Sequence, residues 1–364
     1  MQEFIPGRHL ARAFFQEAVQ PILQREFPSL RHAAALIGPG SEVLRFETPM
    51  STDHHWGPRA MLFLEETEFA KQSEAIAEVM RLELPREFRG YPTNFTPPDS
   101  NDNGTQLLKP VVGGQPVNHR IELFTIRDFF REYLDVEIGS RLDAIDWLTI
   151  PSQKLLSISS GEVFHDAIGL ADVCQQFRWY PREVWLYLMA SEWSRIAQEE
   201  PFVGRAGEAG DERGSAIIAT RLAHHLLRLS FLIEREYAPY SKWFGTAFAR
   251  LRCARILAPV IDRILRSENW PNREAALSEA SQILVEMHNT LGVTAPLSAT
   301  ASQFHGRPFK VIHADRIVEA IRSQIMDGRV KQISTNIGGI DVFSDSTDLL
   351  EATQLRRRLG ALLE

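Results

Sequence analysis

Three short apolar runs restrict the fold more than anything else in this chain. They are HAAALIG (His32 to Gly38), RAMLFL (Arg59 to Leu64) and HRIELFTI (His119 to Ile126). Each has strand length and borders glycine, proline or polar residues, so each reads as a buried strand. Helical stretches lie around them. Leu10, Phe14, Phe15, Val19, Ile22 and Leu23 recur at near-helical spacing over residues 8–27, and Pro28 ends that helix. Residues 68–82 read as a second helix, REFRGYPTNF (86–95) as a strand bent at Gly90, and residues 97–116 as a long exposed loop. This alternation predicts a mixed α/β domain over residues 1–150.

The texture then changes. Pro181 opens a helix carrying Trp185, Met189, Trp193 and Ile196. The stretch 199–211 breaks the pattern with Pro201 and several glycines, and a long helix follows over residues 212–237. Further helices are expected near 246–267, 272–291 and 313–327. The expected class is α+β: a mixed sheet with helices, then a helical bundle over 151–295, then an α/β or helical extension over 296–364. The length, 364 residues, agrees with two or three domains.

Composition removes several function classes. Forty Lys and Arg against 47 Asp and Glu give a net charge of -7, which disfavours coating nucleic acid through bulk charge. Two cysteines, Cys174 and Cys253, form neither a disulfide framework nor a Cys-rich zinc site, and they suit a reduced cytoplasmic setting. The N-terminus lacks the pattern of a secretory signal, and no membrane span is expected. No G-x-x-x-x-G-K-[ST] or G-x-S-x-G occurs, and G-x-G-x-x-G fails at Val43.

The segment Gly38 to Arg59 (GPGSEVLRFETPMSTDHHWGPR) holds the candidate chemistry. A Gly40-Ser41 turn after a strand offers backbone N–H groups to a phosphate. On a strand, Asp53 and His55 would share a face. A carboxylate there would hold a divalent cation bridging phosphate oxygens. Glu122, a lone acid inside an apolar strand, is the expected third ligand; its ordinary alternative is pairing with Arg120. Arg59 lies beside this set, and Arg205 is a weaker phosphate candidate. In YAPYSKWFG (237–245), Tyr240 and Lys242 would stack on a base or neutralise phosphate, or else form a packed helix corner. His224 and His225 diverge on a helix and read as packing or surface residues. His165-Asp166 reads as a turn at a helix start.

These segments resemble a bacterial family of nucleotidyltransferase-fold proteins named only as a domain of unknown function. The resemblance rests on the Gly40–Arg59 run, on FHD (164–166), on RWYPREVWLYLMASEWSRIAQEEPFVGR (178–205), on YAPYSKWFGTAF (237–248), on MHNTLG (287–292) and on RPF (307–309). It implies an N-terminal nucleotidyltransferase-like domain and a helical C-terminal region. Its active-site pattern falls on Gly40 and Ser41, on Asp53 and position 55, and on Glu122. Where the family run reads D-H-D-W-G-P-R, this chain has His55.

The activity so implied is metal-dependent transfer of a nucleoside monophosphate from a triphosphate, ATP favoured, to a hydroxyl, with a small-molecule acceptor favoured. Gly40, Ser41, Arg59, Tyr240 and Lys242 would bind nucleotide. Asp53 and Glu122 would be catalytic, and Asp53, His55 and Glu122 would hold Mg2+ or Mn2+, or a softer ion suited to imidazole. Two alternatives stand: a degenerate fold that binds nucleotide or a partner without turnover, and a metal phosphohydrolase using His54, His55, His165 and Asp166.

Overall fold

A computed structural model describes residues 4–102 and 104–364. The chain is α+β and divides into two compact units. The first comprises Met1–Arg141 and Lys154–Arg178; the second comprises Leu142–Gln153 and Trp179–Glu364.

The first unit is built on a four-stranded sheet of β1 (His32–Leu36), β2 (Arg59–Leu64), β3 (Arg120–Thr125) and β4 (Glu162–Asp166), in the order β3-β2-β1-β4. β2 runs parallel to β3, while β1 is antiparallel to both β2 and β4, with a bulge between Ala34 and Ala35. The three alanines of β1 are fully buried. One sheet face, with Leu62, Leu64 and Ile121, shares a core with Leu10 and Phe14 of helix α1 (Gly7–Phe14) and with Ile76 and Met80 of α2 (Glu66–Glu83). The other face carries Phe63 and Phe124, whose ring centroids are 5.9 Å apart, with Phe129 edge-on to both.

β2 has the bounds the sequence predicts. The helix expected over 8–27 forms with an interruption: a π stretch, Phe15–Val19, precedes Gln20–Glu26, in which Pro21 lacks an N–H. Residues 86–95 form a hairpin, Glu87–Phe88 with Tyr91–Pro92, rather than one bent strand. β4 corrects the expectation of a turn at His165-Asp166, which end a strand instead. Asp166 ends that strand and then accepts backbone N–H groups from Ile168 to Ala171, capping α3 (Leu170–Gln176).

The second unit is mostly helical, with α4 (Arg182–Glu199), α5 (Glu212–Glu234), α6 (Trp270–Thr290) and α7 (Ala314–Arg322) among its elements. α5 packs against α4 and α6, and α7 against α4. By length and composition α5 could cross a membrane, whereas the sequence leads one to expect no span. Its apolar window is 56% buried inside the protein, as expected of a core helix. Glu192, fully buried on α4, is held from α5 by Arg228 Nε at 2.7 Å and by His225 Nδ1 at 2.8 Å. His225 therefore does more than pack, since it is one arm of a buried ion cluster. Cys174 and Cys253 are both free.

Residues 199–211, expected to break the helical pattern, contain the helix Phe202–Glu208. The glycines there serve packing: a Cβ at Gly207 would collide with the Trp270 ring. Gly207→Ala is therefore predicted to destabilise the protein by about 1–3 kcal/mol through overpacking, measured by urea unfolding. An unchanged midpoint would show that the helix shifts freely away from Trp270.

Candidate functional site

The parallel register of β2 and β3 sets Arg59 beside Arg120 and Met61 beside Glu122. Residues two apart on a strand share a face, so Arg59, Arg120 and Glu122 project together from one end of the strand pair. The turn after β1 lies over Arg59. Its guanidinium donates to Glu42 Oε1 from Nε at 2.9 Å and from Nη2 at 2.6 Å, and from Nη2 to the Pro39 carbonyl at 3.1 Å. Arg59 and Glu42 are both about 95% buried. Gly40 has φ +145, and a Cβ there would stand 2.7 Å from Glu42 Oε2 and 2.8 Å from Arg59 Nη2. Glycine is thus required where the turn presses on the ion pair. Ser41 follows on that turn, half-buried, its carbonyl accepting from the Phe46 N–H.

Glu122 is the more open carboxylate, with 38% of its side chain exposed. It lies 3.6 Å from Arg120 and 3.9 Å from Arg59. Arg120 also donates to His55 Nδ1 at 2.8 Å and to the His55 carbonyl at 3.2 Å. The structure therefore gathers Gly40, His55 and Glu122 around the guanidinium groups of Arg59 and Arg120, with Ser41 next to Gly40 on the turn.

Asp53 is placed differently. The run before β2 is not a strand: Pro49–Asp53 is a 3-10 helix under a Thr48–Ser51 capping box, and His55 takes a left-handed φ of +52. The period-2 argument for Asp53 and His55 fails for that reason. The exposed Asp53 carboxylate meets His54 Nδ1 at 2.9 Å, and both residues line an open pocket of about 690 Å³ shared with Thr96, Pro97, Asp99 and Asp102. Among the described residues, no group of three or more His, Cys, Asp or Glu is arranged to hold a metal ion.

The remaining candidates lie elsewhere. In the second unit, Tyr240 caps the helix Ser241–Phe248, and its N–H donates to Gln153 Oε1 at 3.1 Å. Lys242 is exposed, with Nζ 5.1 Å from the centroid of the Trp243 ring. Arg205 lies over the Phe202 ring. In the first unit, His165 packs 4.6 Å from the His32 ring, and both Asp166 oxygens are occupied by backbone N–H groups.

Two residues of the site escape the sequence reading. Glu42 follows the Gly-Ser turn directly, an acid in an otherwise apolar Val-Leu context, and that is its only signal. Arg120 enters there only as a partner for Glu122. Glu47 adds a third link: it accepts from the Gly7 N–H at 2.8 Å and from Trp56 Nε1 at 2.9 Å, fastening the loop to α1.

Electrostatics follow from this packing. Burial opposes the Arg59 charge, yet Glu42 and then Glu122 hold its pKa above the usual value. Burial and the neighbouring Arg59 lower Arg120, with Glu122 opposing them. Burial, then Arg120, lowers His55, so a neutral imidazole accepts the Arg120 hydrogen bond near neutral pH.

Removing Glu42 would leave a buried, uncompensated guanidinium. Glu42→Ala should cost about 3–5 kcal/mol in urea unfolding, while Glu122→Ala, at a solvent-screened pair, should cost under about 1 kcal/mol. Equal costs would contradict this ranking. Burial is the first cause of a lowered pKa at His32, His55 and His119 alike. The unfolded chain then binds more protons than the folded one below about pH 6.5, so stability should fall as pH drops through and below that value. A flat thermal midpoint from pH 7 to pH 5 would contradict this.

Comparison with known proteins adds three findings. Residues 147–244 match a family model described as "Domain of unknown function (DUF4037)". Among solved structures, the chain is similar to a nucleotidyltransferase-like protein from Exiguobacterium sibiricum 255-15, with 11% identity, 85% of this chain and 89% of that chain covered, and a TM-score of 0.31. No curated protein matches. The family resemblance read in the sequence is therefore shown over residues 147–244, as a match to a family described as a domain of unknown function.

Proposed function

We propose that this protein is nucleotidyltransferase-like and that its first unit takes the phosphate chain of a nucleoside triphosphate, ATP favoured, at Arg59, Arg120 and the Gly40-Ser41 turn. One observation carries the reading: two guanidinium groups stand side by side on parallel strands beneath a glycine turn, with the half-exposed Glu122 as their outer counter-ion. A polyphosphate offers the same charge as Glu122 with more acceptor oxygens, and guanidinium forks suit it. The mutual repulsion that lowers Arg120 is relieved by such an anion.

The donor set as arranged does not fit a bare divalent ion. Glu122 faces two cations, His55 Nδ1 faces Arg120, and Asp53 faces His54. This favours nucleotide binding without turnover over transfer. The transfer reading keeps one supporting observation, the open pocket beside Asp53. In that reading Mg2+ or Mn2+ belongs to Asp53, His55 and Glu122, and a small-molecule hydroxyl acceptor to Tyr240 and Lys242. The phosphohydrolase reading has no comparable support, because backbone N–H groups engage the Asp166 carboxylate.

Arg120→Ala should weaken ATP binding about 10- to 100-fold in calorimetry, the loss expected for charge-assisted hydrogen bonds. No pyrophosphate should appear with Mg2+ or Mn2+ across hydroxyl acceptors. Pyrophosphate release that Asp53→Ala abolishes would overturn the binding reading in favour of transfer. ATP binding that Arg120→Ala leaves unchanged would overturn the placement of the phosphates.

A further inference from the structure

The second unit encloses a cavity of its own, of about 20 Å³, lined by Trp147, Tyr180, Glu192, Arg228, Tyr237 and Asp341, among others. Four aromatic rings, Phe231 among them, wall a centre that contains Arg228 with Glu192 and Asp341, and the exposed Glu236 stands at its edge. The space left is about that of one water.

One side of the cavity is closed by a C-terminal segment. Tyr187 anchors it, donating from its hydroxyl to the Thr335 carbonyl at 3.0 Å and accepting from the Gly338 N–H at 3.3 Å. Gly338 has φ +85, and a Cβ on Gly339 would stand 2.9 Å from the Leu148 carbonyl oxygen. Two glycines thus let the segment lie close enough to insert Asp341, at the start of the four-residue helix Ile340–Phe343. The Ser152 N–H donates to Asp341 Oδ2 at 2.8 Å; burial pushes the Asp341 carboxyl up, and attraction to Arg228 opposes that.

This is a costly way to fasten a loop. A carboxylate inserted into the cavity that Glu192 also lines must be desolvated, and Arg228 bonds Glu192 directly while reaching Asp341 only through its field. His225 takes the second Glu192 oxygen, which reduces the demand of Glu192 on Arg228. What Asp341 receives, a backbone N–H and the attraction of a guanidinium that lines the same aromatic-walled cavity, is what a binding pocket offers a small oxyanion.

We propose that this cavity is an oxyanion site for a small carboxylate or phosphate and that Asp341 occupies it as an internal stand-in, which the ligand displaces together with its segment. The proposal stands apart from the nucleotide reading of the first unit. The ligand keeps the charge balance of the folded protein, because one anion replaces another at Arg228. Displacement opens the enclosed space to a molecule larger than the present void.

The test uses the full chain, with inorganic phosphate and acetate as separate probes in calorimetry at matched ionic strength. Asp341→Ala should bind at least one probe about tenfold or more tightly than the native chain. Adding Arg228→Gln should remove that gain, which separates this site from the arginines of the first unit. The probe that gains more identifies the ligand as phosphate or carboxylate. Equal affinities in the native and Asp341→Ala chains, or a gain that survives Arg228→Gln, would overturn the proposal. Hydrogen exchange on the native chain gives an independent reading where a variant fails to fold. High phosphate or acetate should speed exchange of the amides of residues 335–343, and unchanged exchange with both would overturn the displacement.

Discussion

The buried pair of Arg59 and Glu42 is the interaction on which the first unit's site depends. Arg59 opens β2, so the register with β3 fixes where its guanidinium lies. Glu42 comes from the turn after β1 and meets it with two hydrogen bonds. Neither charge is stable there alone, so the pair ties the turn to the strand edge. Gly40 follows from the same contact, because any side chain at that position would occupy the space of the pair. With Arg59 neutralised internally, the exposed side of the site is set by Arg120 and Glu122.

This arrangement explains why a pattern that suggests metal binding in the sequence folds into a cluster of arginine–glutamate pairs. Two arginines flank the expected third acid, and the imidazole at position 55 accepts a hydrogen bond from one of them. In the proposed reading a phosphate chain takes the place of Glu122 on those guanidinium groups. The second unit repeats the theme in another form. Glu192 is fully buried and satisfied by Arg228 and His225, and the remaining capacity of Arg228 faces a cavity closed by Asp341. The residues that match the family model include Tyr180, Glu192, Arg228 and Tyr237 of that cavity.

Much of the fold was legible because buried strands and amphipathic helices leave strong periodic signals. β2 and β3 appear nearly as read, and α4, α5 and α6 follow their spaced apolar residues. β4 was not legible, since its five residues include Glu162, which pairs with Arg8, and Asp166, which caps a helix. Gly204 and Gly207 resembled punctuation but serve close packing inside a helix. At the site, strand register set Arg59 beside Arg120, with Glu122 two residues further along the same face. Asp53 went elsewhere because a capped 3-10 turn replaced the assumed strand. Glu42 could not be recognised from spacing alone, since only the folded turn shows what it neutralises.

In the proposed function, guanidinium groups rather than a protein-held cation receive the phosphates of ATP. The most direct measurement is the affinity of the native chain for ATP in EDTA and in excess magnesium. Binding should occur in both, with dissociation constants within about tenfold of each other. Binding that occurs only with magnesium would contradict this.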